Sequence, residues 1–174
     1  MESQLEYILT HSYKAEMINY LKSHPEAFDK TVQLALSDKQ PFSWRAAWLL
    51  WSCIKVNDPR LWKYQKKIID ILSERNDDQV RELFIILQRM KIDKENEGKL
   101  FDICANTWKN TIKKSSVRFN AFKLMVKIAQ NHPDLNSEII QLTDSRYMDS
   151  LSVNVQQSIF RMTSKFDNQN KHNQ

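Results

Sequence analysis

The chain has 174 residues, 41% hydrophobic and 27% charged, with a formal net charge of +5 at pH 7. Its single glycine and four prolines leave too few turn formers for tight hairpins, so the composition points to helices joined by short loops. The same poverty excludes a phosphate-cradling loop, a nucleophile elbow and a dinucleotide fingerprint, and no run of about 18 apolar residues exists to cross a membrane.

The predicted elements follow one another closely. Ser3–Glu6 forms an S-x-x-E capping box that opens a short helix with Leu5, Ile8 and Leu9 on one side. A second helix over Ser12–Lys22 stops at Ser23-His24-Pro25, because the residue before proline is pushed out of the α region. Glu26–Ser37 is the third, followed by a loop, Asp38–Pro41. Phe42–Val56 is then apolar nearly all round, with Trp44, Trp48 and Trp51 at helical spacing. It is expected to lie buried between neighbours, the tryptophans in the core.

Asp58 caps the next helix with Pro59 at its first position, and the pattern runs to about Glu74. Asn76-Asp77-Asp78 caps Val80–Met90, Asp93–Gly98 is a polar connection, and Lys99–Thr111 is helical. Ser115 or Ser116 caps Val117–Gln130, Leu135–Leu142 continues raggedly toward Met148, and Ser152 caps a last helix to about Lys165. The expected organisation is one domain over 1–166, with repeat units of roughly 3–38, 42–75, 77–113 and 115–150 and a terminal helix over 152–165. Residues 167–174 form a polar tail expected to be disordered.

The elements repeat. Arg45, Arg81 and Arg118 are spaced by 36 and 37 residues, each directly after Trp44, Val80 or Val117. Leu36, Leu72 and Trp108 in the preceding helices are each 36 apart, and Asn57-Asp58-Pro59 matches Asn131-His132-Pro133 at 74. A helix pair per ~37 residues means stacked units, each too thin to bury its apolar faces alone. The fold class is therefore all-α, an α-α superhelix: a short right-handed solenoid of about four to five helix pairs. Leu36-Ser37-Asp38 followed by Trp44-Arg45-Ala46-Ala47-Trp48, Leu72 through Asp78 with Val80-Arg81, and Ser116 with Val117-Arg118 resemble the HEAT and armadillo class of helical repeats. The resemblance implies that Arg45 and Arg81 contact the acidic turns of their own or adjacent units, where Asp38, Asp77 and Asp78 stand ready. Arg118 has no acid in its turn.

Charge is segregated. From Ile103 to Pro133 there is no Asp or Glu, while Lys109, Lys113, Lys114, Arg118, Lys123 and Lys127 give +6, leaving −1 for the rest of a chain whose total is +5. With Trp108 this segment is a candidate electrostatic footprint for nucleic acid or an acidic partner; the plain alternative is a solvated face. A smaller basic run is Arg60, Lys63, Lys66 and Lys67, with Trp62 beside it, and either Trp62 or Trp108 could stack on a base or a cation. His24 and His132 occupy equivalent turns before proline, no grouping has metal spacing, and no cofactor is expected. Cys53 and Cys104 sit in apolar helical patterns and are expected as reduced, buried thiols in a cytoplasmic protein.

Three functions are compatible with these residues. The first is a non-enzymatic helical-repeat scaffold that binds a protein or peptide, a monomer or weak dimer away from membranes. The second is nucleic-acid binding through 103–133. The third is an enzyme: Trp62 with Asp58, Trp108 with Asp102, and Trp44-Arg45 resemble elements of helical-repeat DNA glycosylases for alkylated bases, although their catalytic Trp-Asp segment finds no match.

Overall fold

A computed structural model describes residues 3–170, with side chains over 3–166. The described residues form α-helices and short 3₁₀ turns with no strand, as the glycine poverty implies. None of the described helices is long and apolar enough to cross a membrane. The chain divides into two compact units, Met1–Ile92 and Asp93–Gln174.

The first unit holds α1 (Gln4–His11), α2 (Lys14–Ser23), α3 (Ala27–Leu36), α4 (Phe42–Cys53), α5 (Gln65–Ile71) and α6 (Asp77–Gln88). The capping box forms as expected: the Glu6 amide donates to Ser3 Oγ at 3.3 Å and the Ser3 amide to Glu6 Oε2 at 2.7 Å. α4 is the hub, with α1, α2, α3 and α6 all packing on it. Its buried face is Ser43, Ala46, Ala47, Leu49 and Leu50, where two alanines let neighbouring backbones approach. Trp44, Trp48 and Trp51 are only half-buried, which corrects the expectation that they form the core. An indole is too bulky for the close side of a helix gripped by four others, so the small residues take that side.

After α4 the chain turns through Asn57, whose φ of 56° lies in the left-handed region that asparagine tolerates. Asp58 caps the next element, its carboxylate accepting from the Arg60 amide, and Pro59 opens it. The first turns, Pro59–Tyr64, are 3₁₀ and α5 follows.

The second unit holds α7 (Lys94–Lys109), α8 (Ser115–Ala129), α9 (Asn136–Gln141), α10 (Ser145–Met148) and α11 (Val153–Asn170). The expected connection Asp93–Gly98 is helix from Lys94 onward, because Glu95 and Glu97 suit a helix start and Asn96 is buried. α7 packs on α8, α8 on α9, and α11 against both α8 and α9. α11 continues past Lys165 to Asn170; the remainder of the expected tail, 171–174, lies outside the described residues.

Helix C-termini are closed in an unusual way. With one glycine the chain cannot end its helices on left-handed Gly caps. Long polar side chains supply the missing donors instead. Arg45 Nη1 donates to the Leu9 carbonyl at the end of α1 (2.7 Å), and Arg75 Nη2 to Leu36 at the end of α3 (3.3 Å). Gln79 Nε2 reaches the Ala35 and Ser37 carbonyls, each at 2.8 Å, while Arg89 Nη1 donates to Ile54, just past α4, at 3.2 Å. Arg118 Nε does the same for Trp108 at the end of α7 (2.9 Å). A guanidinium there also opposes the negative end of the helix dipole.

Candidate functional site

The basic segment does not gather. Arg118 is 1% exposed. Beyond the Trp108 carbonyl it donates through Nη1 to Ser150 Oγ (2.8 Å) and through Nη2 to the Tyr147 carbonyl, and its guanidinium lies 4.8 Å from the Trp108 ring. Burial lowers its pKa below the ordinary arginine value. Trp108 is 0% exposed, its Nε1 donating to the Leu142 carbonyl at 2.8 Å and its ring 4.7 Å from Phe122. Both therefore leave the candidate surface: each nitrogen of the Arg118 guanidinium and the ring of Trp108 serve the packing of the second unit.

Lys123 and Lys127 are half-buried on α8, and desolvation lowers the pKa of both. Lys123 Nζ lies 4.4 Å from the Phe119 ring. Lys113 is half-buried as well, and only Lys109 and Lys114 of the six are exposed.

The smaller run keeps its exposure. Trp62 is 59% exposed and Lys67 is exposed. Lys63 is paired with Asp29 at 3.1 Å, and Tyr64 Oη donates to the same carboxylate at 3.0 Å. Asp58 is held by the Arg60 guanidinium at 2.9 and 2.7 Å, which pulls its pKa below the ordinary aspartate value. A carboxylate so occupied is poorly placed as a general base beside Trp62, and the buried Trp108 cannot stack on a base beside Asp102.

The first unit presents a different surface. The half-buried tryptophans of α4 form a row bordered by α2 and α6. Trp48 and Trp51 meet edge to face, centroids 6.1 Å apart. Trp51 Nε1 donates to Glu82 Oε2 at 2.5 Å, and Glu82, 1% exposed, is also held by Arg81, whose Nε donates to Oε1 at 2.9 Å. Arg81 is thus engaged by its sequence neighbour on α6, while Arg45 donates through Nη1 to a backbone carbonyl and its buried Nε has no hydrogen-bond partner among the described residues. Neither uses Asp38, Asp77 or Asp78 as the resemblance implied. Each indole in the row carries a cation: Arg45 at 5.1 Å from Trp44, Lys14 at 5.5 Å from Trp48, Arg89 at 5.6 Å from Trp51.

Helix pairs that repeat at this interval, with an arginine at the head of each second helix, agree with a family model. The model for the HEAT repeat domain matches residues 1–166. The chain belongs to the HEAT repeat domain family. No curated protein and no solved structure matches it.

In this HEAT repeat chain, sequence spacing alone did not reveal the contributions of Lys14, Glu82 and Arg89. One signal was available: Lys39–Asn57 is a second stretch without Asp or Glu, and it contains all three tryptophans of α4. Elsewhere in the first unit, Tyr20, His24, Lys30, Leu34 and Lys39 line part of an open cleft of about 590 Å3. Its floor includes Glu6, whose carboxyl the Lys39 ammonium and the Ser3 donors hold down to about 2. Those groups serve the capping box and the fold.

Proposed function

We propose that this HEAT repeat chain is a non-enzymatic binding module whose first unit docks a protein or peptide on the tryptophan row of α4. One observation carries the proposal: three half-buried indoles in line on the hub helix, with the Trp51 Nε1 edge fixed by Glu82. Trp and Arg dominate the energetics of protein interfaces, because a rigid amphipathic ring buries much area at little entropic cost. The cytoplasm remains the proposed compartment, consistent with free thiols at the half-buried Cys53 and the buried Cys104.

The test is selection from a random linear-peptide display library on the full chain, with counter-selection against Trp48→Ala. Peptides retained by the wild type and lost on the variant support docking on this face. Selection that returns no Trp48-dependent peptide overturns it, provided circular dichroism shows the variant folded.

A further inference from the structure

Resting on that docking reading, we infer that the tryptophan row of α4 takes an acidic segment: a short peptide stretch with apolar anchors set among Asp and Glu side chains. The argument is charge complementarity. Arg45, Lys14 and Arg89 each stand over one indole of the row, and none makes an ion pair among the described residues. Other cations of this unit do have carboxylate partners: Lys39 with Glu6, Arg60 with Asp58, Lys63 with Asp29, Arg81 with Glu82. Carboxylates beside the row are already engaged. Glu82 accepts from Arg81 and Trp51, and Glu16 on α2 accepts from the Tyr13 amide at 2.9 Å.

A cationic partner would have to displace a resident cation from each ring and would find no spare carboxylate. An anionic one meets three cations without carboxylate partners at the margin of an apolar strip, Arg45 and Arg89 also donating to helix-end carbonyls. Partial desolvation there strengthens the attraction. The row from Trp44 to Trp51 is ~10 Å long at 1.5 Å per helical residue, enough for anchors spaced i, i+4, i+7. Nucleic acid fits less well. Three charges make a short phosphate track, too few contacts for tight binding to a phosphate backbone.

The experiment reads the composition of the peptides that survive the Trp48-dependent selection, then measures their affinity by fluorescence anisotropy. The expected result is enrichment of Asp and Glu over Lys and Arg. Lys14→Glu, at an exposed position on α2, should weaken the survivors about tenfold, since it replaces an attraction with a repulsion. Survivors that are neutral or basic, or indifferent to Lys14→Glu, overturn the acidic assignment and leave the docking face standing. No Trp48-dependent survivors at all overturn both. A single-stranded oligothymidylate that binds more tightly than any survivor, in a Trp48-dependent manner, overturns the acidic peptide in favour of nucleic acid.

Discussion

At the scale of single residues, the arginines carry the unexpected chemistry. Arg118 is the third member of the repeat ladder, and its lack of an acidic neighbour in sequence suggested a free cation. It is instead buried with three acceptors, two of them backbone carbonyls. Arg118→Ala should therefore cost about 3 kcal/mol or more, because it orphans buried acceptors and opens a cavity. Lys109→Ala, on the exposed surface, should stay within about 0.5 kcal/mol. Urea midpoints at constant m-value compare the two.

Burial also raises the Cys104 thiol well above the ordinary cysteine range, and that of Cys53 less so. In native protein at pH 8, Cys104 should resist a disulfide reagent that labels both thiols after unfolding. Glu6 gives a pH test. Its folded pKa of about 2 lies below the ordinary 4.5, so the stability it contributes is complete above about 4.5 and is lost as pH falls toward 2. Thermal midpoints of the wild type should drop across that window, and Glu6→Gln should drop less.

At the scale of elements, α4 shows how a correct helix can be assigned the wrong inner face. Its apolar residues surround the helix almost completely, so periodicity gives no direction, and bulk suggested that the tryptophans point inward. Packing by four neighbouring helices selects the opposite arrangement, with Ala46 and Ala47 at the close approach and the indoles toward the margin. Ala47→Leu should then cost about 1–3 kcal/mol by overpacking, visible as a lowered urea midpoint with helicity retained. α7 illustrates a different limit. The polar run Lys94-Glu95-Asn96-Glu97-Gly98 lacks apolar residues and looked like a loop, yet acids in a first turn stabilise a helix that begins there. The short turn Pro59–Tyr64 was legible as a capped start, while its 3₁₀ geometry was not.

At the scale of the whole molecule, segregation of charge along the sequence did not become segregation on a surface. Six cations between 103 and 133 would predict a steep dependence of duplex DNA binding on salt, about 0.9 in the log–log slope per phosphate contact. With Arg118 buried, three lysines half-buried and two exposed, the slope on duplex DNA should be shallower than about −2. Measuring that binding at about 50 and 200 mM salt checks it. A slope near −5 would restore the basic segment as a nucleic-acid surface.

The sequence by itself determined the helical class, the repeat interval, the capping box at Ser3 and Glu6 and the turn at Asp58-Pro59. These follow from local backbone preferences and from apolar spacing, which act within a few residues. Tertiary structure alone decided which face of α4 is buried, and that Arg45, Arg75, Arg89 and Arg118 close helix ends. It also decided that Trp108 is core, and that Lys14, Arg45 and Arg89 meet three indoles. A long cationic side chain can reach a carbonyl, an aromatic ring or water with little difference in local energy. The choice among them is made by whichever partner the packing of distant helices brings within hydrogen-bonding or van der Waals distance.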